Sequence, residues 1–303
     1  MATDTPAKPA AESGPKAPAP APKRPPHTEG NALNVFSHGL LWVWGLMVII
    51  PVAWIVLTSF KTTREIATDP LGLPESFQWE NYANAWTTGN IGGYFINTIQ
   101  VMAFSVTGTM LLGAMAAYVL ARYEFFGNRI VYFGFAAGMM FPVFLALFPL
   151  FKTLQNVALL NTYPGLVLVY IAYSLPFTVF FLTAFFRTLP SGVAEAAVVD
   201  GAGHYRLFFQ VMLPMAKPGL IAITIFNIIG QWNQFLLPLV LLSRNPEDAM
   251  ISQGLANLAL RQGYEGDPGA LFAGTVMAML PIFVAYVVFQ RHIQAGLTAG
   301  AIK

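Results

Sequence analysis

Residues 195–214 read EAAVVDGAGHYRLFFQVMLP, a short polar island carrying Glu195, Asp200, His204 and Arg206. It stands between two stretches without Asp, Glu, Lys or Arg, at 153–186 and 218–243. Four more such windows lie at 30–60, 81–121, 130–151 and 268–290, and the shortest, 130–151, holds 22 residues. A membrane-spanning helix needs about 20. One Lys or Arg at its centre costs about 2.5–3.5 kcal/mol, against about 0.3–0.6 returned by each Leu or Ile. Buried helices of soluble proteins alternate with charged faces, so six charge-free windows read as spanning segments.

Composition agrees. The chain has 303 residues, 56% hydrophobic and 10% charged, where soluble domains carry about 25% charge. The reading is an all-α integral membrane protein with six transmembrane helices near 36–60, 94–121, 130–151, 163–186, 218–243 and 270–290. Pro51, Pro142, Pro149, Pro176, Pro238 and Pro281 fall inside them. Proline is tolerated there when neighbours satisfy the freed carbonyls. Residues 1–30, rich in Pro, Ala and Lys, read as a disordered tail. Residues 31–303 read as one six-helix membrane domain.

Several chemistries are excluded. Cysteine is absent, which removes disulfides and thiol catalysis. His27, His38, His204 and His292 are too scattered for a metal site, so no catalytic residue, metal or cofactor is expected. A net charge of +2 is too small to suggest nucleic acid. There is no Gly-x-x-x-x-Gly-Lys-Ser/Thr phosphate loop, so this chain is not an ATPase. His38, at the edge of the first window, is the one ionisable Asp, Glu, Lys, Arg or His in the six, which gives a proton relay no support.

Lys and Arg set the orientation. With the amino terminus inside, the cytoplasmic segments hold Lys23, Arg24, Arg122, Arg129, Arg187, Arg206, Lys217, Arg291 and Lys303. The outer segments hold Lys61, Arg64, Lys152, Arg244 and Arg261. Nine against five favours both termini, and the 187–217 loop, in the cytoplasm. Two long outer segments, about 61–93 and 244–269, are candidates for docking an external partner.

Within the 187–217 loop, Pro190-Ser191 offers a helix start with Ser191 as N-cap. Glu195 lies near the beginning of that helix, where negative charge suits the dipole. Ala196 and Ala197 are small and let another surface approach. Gly201 and Gly203 permit a tight turn. A second short helix from His204 to about Met212 carries Leu207, Phe208 and Val211 at helical spacing. Pro214 ends it and Pro218 opens the next span. The expectation is a helix–turn–helix elbow whose apolar side rests on the bundle or on a soluble partner.

The pattern Glu195-Ala196-Ala197, three residues, Gly201, nine residues, Val211-x-Leu213-Pro214 resembles the signature loop of bacterial ABC importer permeases. Asp200 and Ala202 extend the likeness to the carbohydrate (MalG-type) branch. Asn81-Tyr82 with Trp86 and Asn97, Trp232-Asn233-x-Phe235-x-x-Pro238, and the carboxyl-terminal 296–303 are similar to the same family. The resemblance implies a type I, MetI-like permease in the cytoplasmic membrane that moves a mono- or oligosaccharide. It implies a second, MalF-type permease, two cytoplasmic ATPase subunits and an extracytoplasmic sugar-binding protein as partners. Glu195, Ala196, Ala197, Asp200, Gly201, Leu213 and Pro214 become the ATPase-coupling residues. Glu195 would meet an Arg or Lys of the ATPase, and Gly201 would set the bend. Maltose, trehalose, chitobiose or N-acetylglucosamine, cellobiose and glycerol phosphate are all cargoes of similar permeases. In the maltose class the sugar contacts lie mainly on the other permease.

For the pathway, Asn227, Gln231 and Gln234 fall at i, i+4 and i+7 on one helix face, with Trp232 and Asn233 adjoining. Polar groups at mid-span face a helix interface or water. Helix–helix hydrogen bonding, pathway lining and sugar contact all remain open for these five. Tyr170 and Tyr173 could stack on a sugar or simply pack. The competing class is an ion-coupled secondary transporter, which inverted repeats and intramembrane ionisable residues would favour.

Overall fold

The structure, a computed structural model, describes residues 30–299, with side-chain surroundings for 37–260 and 266–291. The tail expected at 1–30, apart from Gly30, and residues 300–303 of the carboxyl-terminal motif lie outside the described residues. The regular structure described is helical throughout. In chain order the helices are α1 (Gly30–Thr58), α2 (Thr63–Thr68), α3 (Glu80–Trp86), α4 (Ile91–Arg122), α5 (Asn128–Met140), α6 (Val143–Asn156) and α7 (Tyr163–Thr188). Then come α8 (Ser191–Val199), α9 (His204–Met215), α10 (Lys217–Trp232), α11 (Leu236–Leu241), α12 (Ile251–Glu265) and α13 (Pro268–Ala299). The chain divides into two compact units, up to Pro51 and from Val52. In the first, the described side chains of α1 are almost all exposed. The second unit holds every other helix.

Among the described residues, four segments are by themselves long and apolar enough to cross a membrane: Ser37–Thr58, Ile91–Arg122, Tyr163–Thr188 and Pro268–Arg291. Two bent pairs meet the same test jointly, α5 with α6 at 101° and α9 with α10 at 76°, which gives up to six spans. The third expected span, 130–151, is therefore corrected to two helices broken at Phe141-Pro142. The residue before a proline is pushed to extended backbone, and Phe141 sits at φ −75, ψ 121. Pro142 cannot donate to the Gly138 carbonyl, which takes the Phe141 N–H at 3.3 Å instead. The fifth span, expected over 218–243, stops at Trp232 and resumes as the short α11. Pro238 offers no N–H to the Gln234 carbonyl four residues back, and that carbonyl accepts the Ser252 hydroxyl at 2.7 Å. Pro51, Pro149, Pro176 and Pro281 do lie inside helices.

The centre of the second unit is the pair α4 and α7. Their contact is made by small residues, which let membrane helices approach closely. Ser105, Thr109, Ala114 and Ala117 of α4 and Ser174, Thr178 and Thr183 of α7 are buried. A Cβ added at Gly113 would stand 2.6 Å from Thr178 Cγ2, so only glycine keeps this spacing.

The segment after α1 is a folded cap rather than a loose loop. Lys61 is fully buried, its ammonium donating to the carbonyls of Asp69 (2.8 Å) and Pro70 (3.3 Å). Thr62 and Glu65 form a capping box on α2. The Glu65 carboxylate also accepts the Glu75 N–H, and these backbone donors hold its pKa below the usual carboxylate value. Asn81 donates to the carbonyls of Ser59 and Lys61, both at 2.9 Å. The second long connecting segment, 244–269, is mostly the helix α12. Asn97 donates to Glu247 and Ala249 carbonyls, and the Thr98 hydroxyl accepts the Ile251 N–H at 2.9 Å, so both bind that segment to α4.

Gly113→Val should push α4 off α7 at an overpacking cost of about 1–3 kcal/mol. Thermal unfolding of the purified protein in detergent should show a midpoint lowered by several degrees. Gly134→Val, where a Cβ meets nothing within 4 Å, should leave the midpoint unchanged.

Candidate functional site

The elbow is built as its residues suggested, with two corrections. Pro190, not Ser191, occupies the N-cap of α8, and no side-chain cap bond is made. Pro214 does not end the second arm; it sits within the last turn of α9, and the bend comes at Ala216. The turn itself follows from Gly201. The Ala202 N–H bonds the Ala197 carbonyl (2.9 Å) and the Gly201 N–H bonds the Val198 carbonyl (3.0 Å), a Schellman closure of α8. It requires left-handed backbone at Gly201, whose φ is 81.

The second arm is anchored to its own bundle. Residues Leu207–Met212 wind as a π-helix, and Leu207, Phe208 and Met212 are buried. They pack with Ala114, Ala117 and Tyr118 of α4 and with Leu182 and Phe186 of α7. The Tyr118 ring lies 5.1 Å from that of Phe208 and 5.7 Å from that of Phe186. Val211 and Leu213 rest on the edge of the same cluster.

The end of α4 clasps both arms. An Nη2 of Arg122 donates to the Leu189 carbonyl (2.6 Å), just before α8. The Tyr123 hydroxyl and His204 Nδ1 share a hydrogen bond (3.0 Å) at the start of α9. Asn128 steadies this clasp by donating to the Tyr123 carbonyl (2.8 Å). Sequence reasoning missed Arg122 and Tyr123 as elbow residues. The available signal was that Arg122 is the first charge after the 81–121 window, at a helix C-terminus where a cation is favoured.

The coupling set splits into two faces. Ala197 and Leu213 turn toward the bundle, together with Ala194. Glu195, Ala196, Asp200, Gly201 and Pro214 are exposed. Beside them Val193, Val198 and Val199 are exposed, Val199 at 87%. The outward face of α8 is thus apolar with one carboxylate set into it, on a platform held by buried contacts.

The polar set of α10 also divides. Asn227 donates to Thr178 Oγ1 (2.9 Å) and to the Ile223 carbonyl (3.1 Å). Gln231 donates to Ser174 Oγ (3.2 Å) and accepts from Ser105 Oγ. Both amides therefore tie α10 to α7, and Gln231 ties it to α4 as well. With Gln234 they line a cavity of about 330 Å³ beside the α5–α6 break. Trp232 and Asn233 face away from it: Trp232 Nε1 donates to the Ala278 carbonyl (3.1 Å) and Asn233 to its own Ile229 carbonyl (2.8 Å).

Residues 109–298, which contain the elbow and the polar set, match the family of binding-protein-dependent transport system inner membrane components. The chain belongs to this family. It is a multi-pass membrane protein and a permease subunit of the ABC transporter class, and the ion-coupled alternative is set aside. It is 53% identical over 267 residues to a diacetylchitobiose uptake system permease protein of Streptomyces coelicolor, covering 88% of each chain. It is 35% identical to a trehalose transport system permease protein of Mycobacterium tuberculosis, over 84% of this chain and 92% of that one. In fold it resembles a chain of a bacterial ABC transporter that imports alginate, with a TM-score of 0.76 at 22% identity over 87% of this chain and 97% of that chain.

Gly201 and Gly203 separate backbone from packing, because a Cβ at either meets nothing within 4 Å. Gly203 has φ −70, open to any residue. Gly201→Ala should cost about 1–2 kcal/mol in the left-handed region, and Gly203→Ala should be silent. Amide hydrogen exchange across 196–203 should quicken in the first variant only.

Proposed function

We propose that this chain is one permease of an ABC importer that carries a sugar across the cytoplasmic membrane, with α8 as the helix gripped by an ATPase. The observation that carries this reading is the exposed face of α8, set on a buried platform at the ends of α4 and α7. A chain with no phosphate loop presents there a rigid docking surface. Two cytoplasmic ATPase subunits, a second permease and an extracytoplasmic sugar-binding protein complete the machine. Glu195 pairs with a basic residue of the ATPase, and Ala196 lets the partner approach. Asp200 flanks the contact, while Gly201 fixes the bend. Ala197 and Leu213 hold the elbow to the bundle, and Pro214 shapes its far end. The face of α10 bearing Asn227, Gln231 and Gln234 borders the translocation pathway. Of the other two residues read as pathway candidates, Trp232 is bonded to the Ala278 carbonyl of α13 and Asn233 is exposed and bonded to its own helix.

The Lys and Arg bias supports both termini and the elbow on the cytoplasmic side. The 53% identity to a diacetylchitobiose permease makes a neutral N-acetylglucosamine disaccharide the first cargo to test. Closure of the ATPase dimer pulls on α8. The pull passes to α7 and α10 through the chain, and to α4 through Arg122 and Tyr123.

The test is uptake of N,N′-diacetylchitobiose into vesicles holding the whole complex, with ATP inside and the binding protein outside. Uptake should require ATP hydrolysis and survive an uncoupler. Glu195→Ala should lower it at least about tenfold, equivalent to about 1.4 kcal/mol, with the complex still assembled. Uncoupler-sensitive uptake at constant ATP, or full activity in a Glu195→Ala, Gly201→Val double variant, would sink this assignment.

A further inference from the structure

We propose that the cavity beside the α5–α6 break is a sugar subsite carried by this chain itself, sized for one ring of a neutral saccharide. The proposal rests on the importer reading and adds a contact point to it. Ligand pockets run from about 300 to 1,000 Å³. At about 330 Å³ this one has room for a single ring.

Its lining explains the cargo class. Among the described residues, no Asp, Glu, Lys, Arg or His lines the cavity, so none of them balances an ionic ligand. Its walls include the rings of Tyr170, Tyr173, Phe177 and Phe226. Such rings offer flat faces to the C–H faces of a sugar. The polar groups facing the space are hydroxyls and amides, which match sugar hydroxyls and an N-acetyl group.

The decisive feature is what the protein leaves unused. Tyr170 is 3% exposed, yet its hydroxyl makes no hydrogen bond to the described residues. Tyr170 lines the cavity, and its hydroxyl is not fully sealed within the protein. The Gln234 side-chain amide likewise has no partner among the described residues. The neighbouring amides, Asn227 and Gln231, are spent on holding helices together. A buried polar group without a partner is costly unless water or a ligand serves it. Tyr170 and Gln234, with the more exposed Tyr173, are therefore the groups available to read a sugar.

Gly230 supplies a clean test. It lines the cavity, and a Cβ added there meets nothing within 4 Å. Gly230→Leu should fill the space without displacing a neighbour. In vesicles holding the complete transporter, with N,N′-diacetylchitobiose as the probe, the sugar moved per ATP hydrolysed should fall at least about fivefold. Tyr170→Phe removes one oxygen and keeps the ring. It should slow uptake about two- to tenfold, the range of a single neutral hydrogen bond. Gly230→Leu moving sugar at the wild-type ratio would overturn the subsite. So would failure of Gly230→Leu to assemble, because the cavity would then be packed by another subunit. Absence of ATP-driven uptake in the wild-type complex would instead overturn the importer reading itself.

Discussion

A main-chain carbonyl inside a bilayer must find its donor within the protein, and that requirement shapes this molecule wherever proline interrupts a helix. Pro142 and Pro238 each withhold one N–H. The orphaned carbonyls, Gly138 and Gln234, are served by Phe141 N–H and by the Ser252 hydroxyl. Each local rescue fixes a break. The first turns α6 away from α5 by 101° and opens the cavity. The second ends α10 at Trp232 and sets Gln234 at its rim. The polar interior of the bundle is thus a consequence of where two carbonyls found partners.

Around those breaks, α4 is the common support. It packs on α7 through small residues, accepts α10 through Ser105 and Gln231, and clasps the elbow through Arg122 and Tyr123. In lipid there is no hydrophobic drive between helices, so close packing and hydrogen bonds do the holding. A displacement of α8 therefore does not strain one connection alone. It loads the Leu189 carbonyl, the His204 ring and the buried Leu207–Phe208–Met212 surface together, each of them held by α4 or by its partner α7. The elbow behaves as an extension of the α4–α7 pair.

How far the sequence was readable follows from the size of each effect. Charge exclusion is worth kilocalories per residue, so the windows 81–121 and 153–186 end within two residues of α4 and α7, while each begins ten residues early, over α3 and over the end of α6. Gly201 was readable because left-handed backbone strongly favours glycine. The breaks were not. Pro149 and Pro176 sit inside intact helices while Pro142 does not, so a proline in the sequence does not by itself mark a break. The clasp was hidden as well. Leu189 lies 67 residues from Arg122, and His204 lies 81 from Tyr123. The five-residue polar set was legible as a set, but its division needed the position of α13, whose Ala278 carbonyl claims Trp232.

The distribution of charge joins the two ends of the molecule. At the elbow, Glu195, Asp200, His204 and Arg206 are exposed, where an ion pair would form in water at little desolvation cost. Where α10 meets α4 and α7 the bonded side chains are amides and hydroxyls, Asn227 with Thr178, and Gln231 with Ser105 and Ser174. A fixed charge in that interior would need a permanent counter-charge, and moving it between two conformations would carry a large desolvation cost. Neutral amides can exchange partners among hydroxyls at far smaller cost. A bundle built this way can be driven from its edge by a charged contact while its centre rearranges without moving charge, and a neutral cargo is the one it can accommodate without an ionic partner of its own.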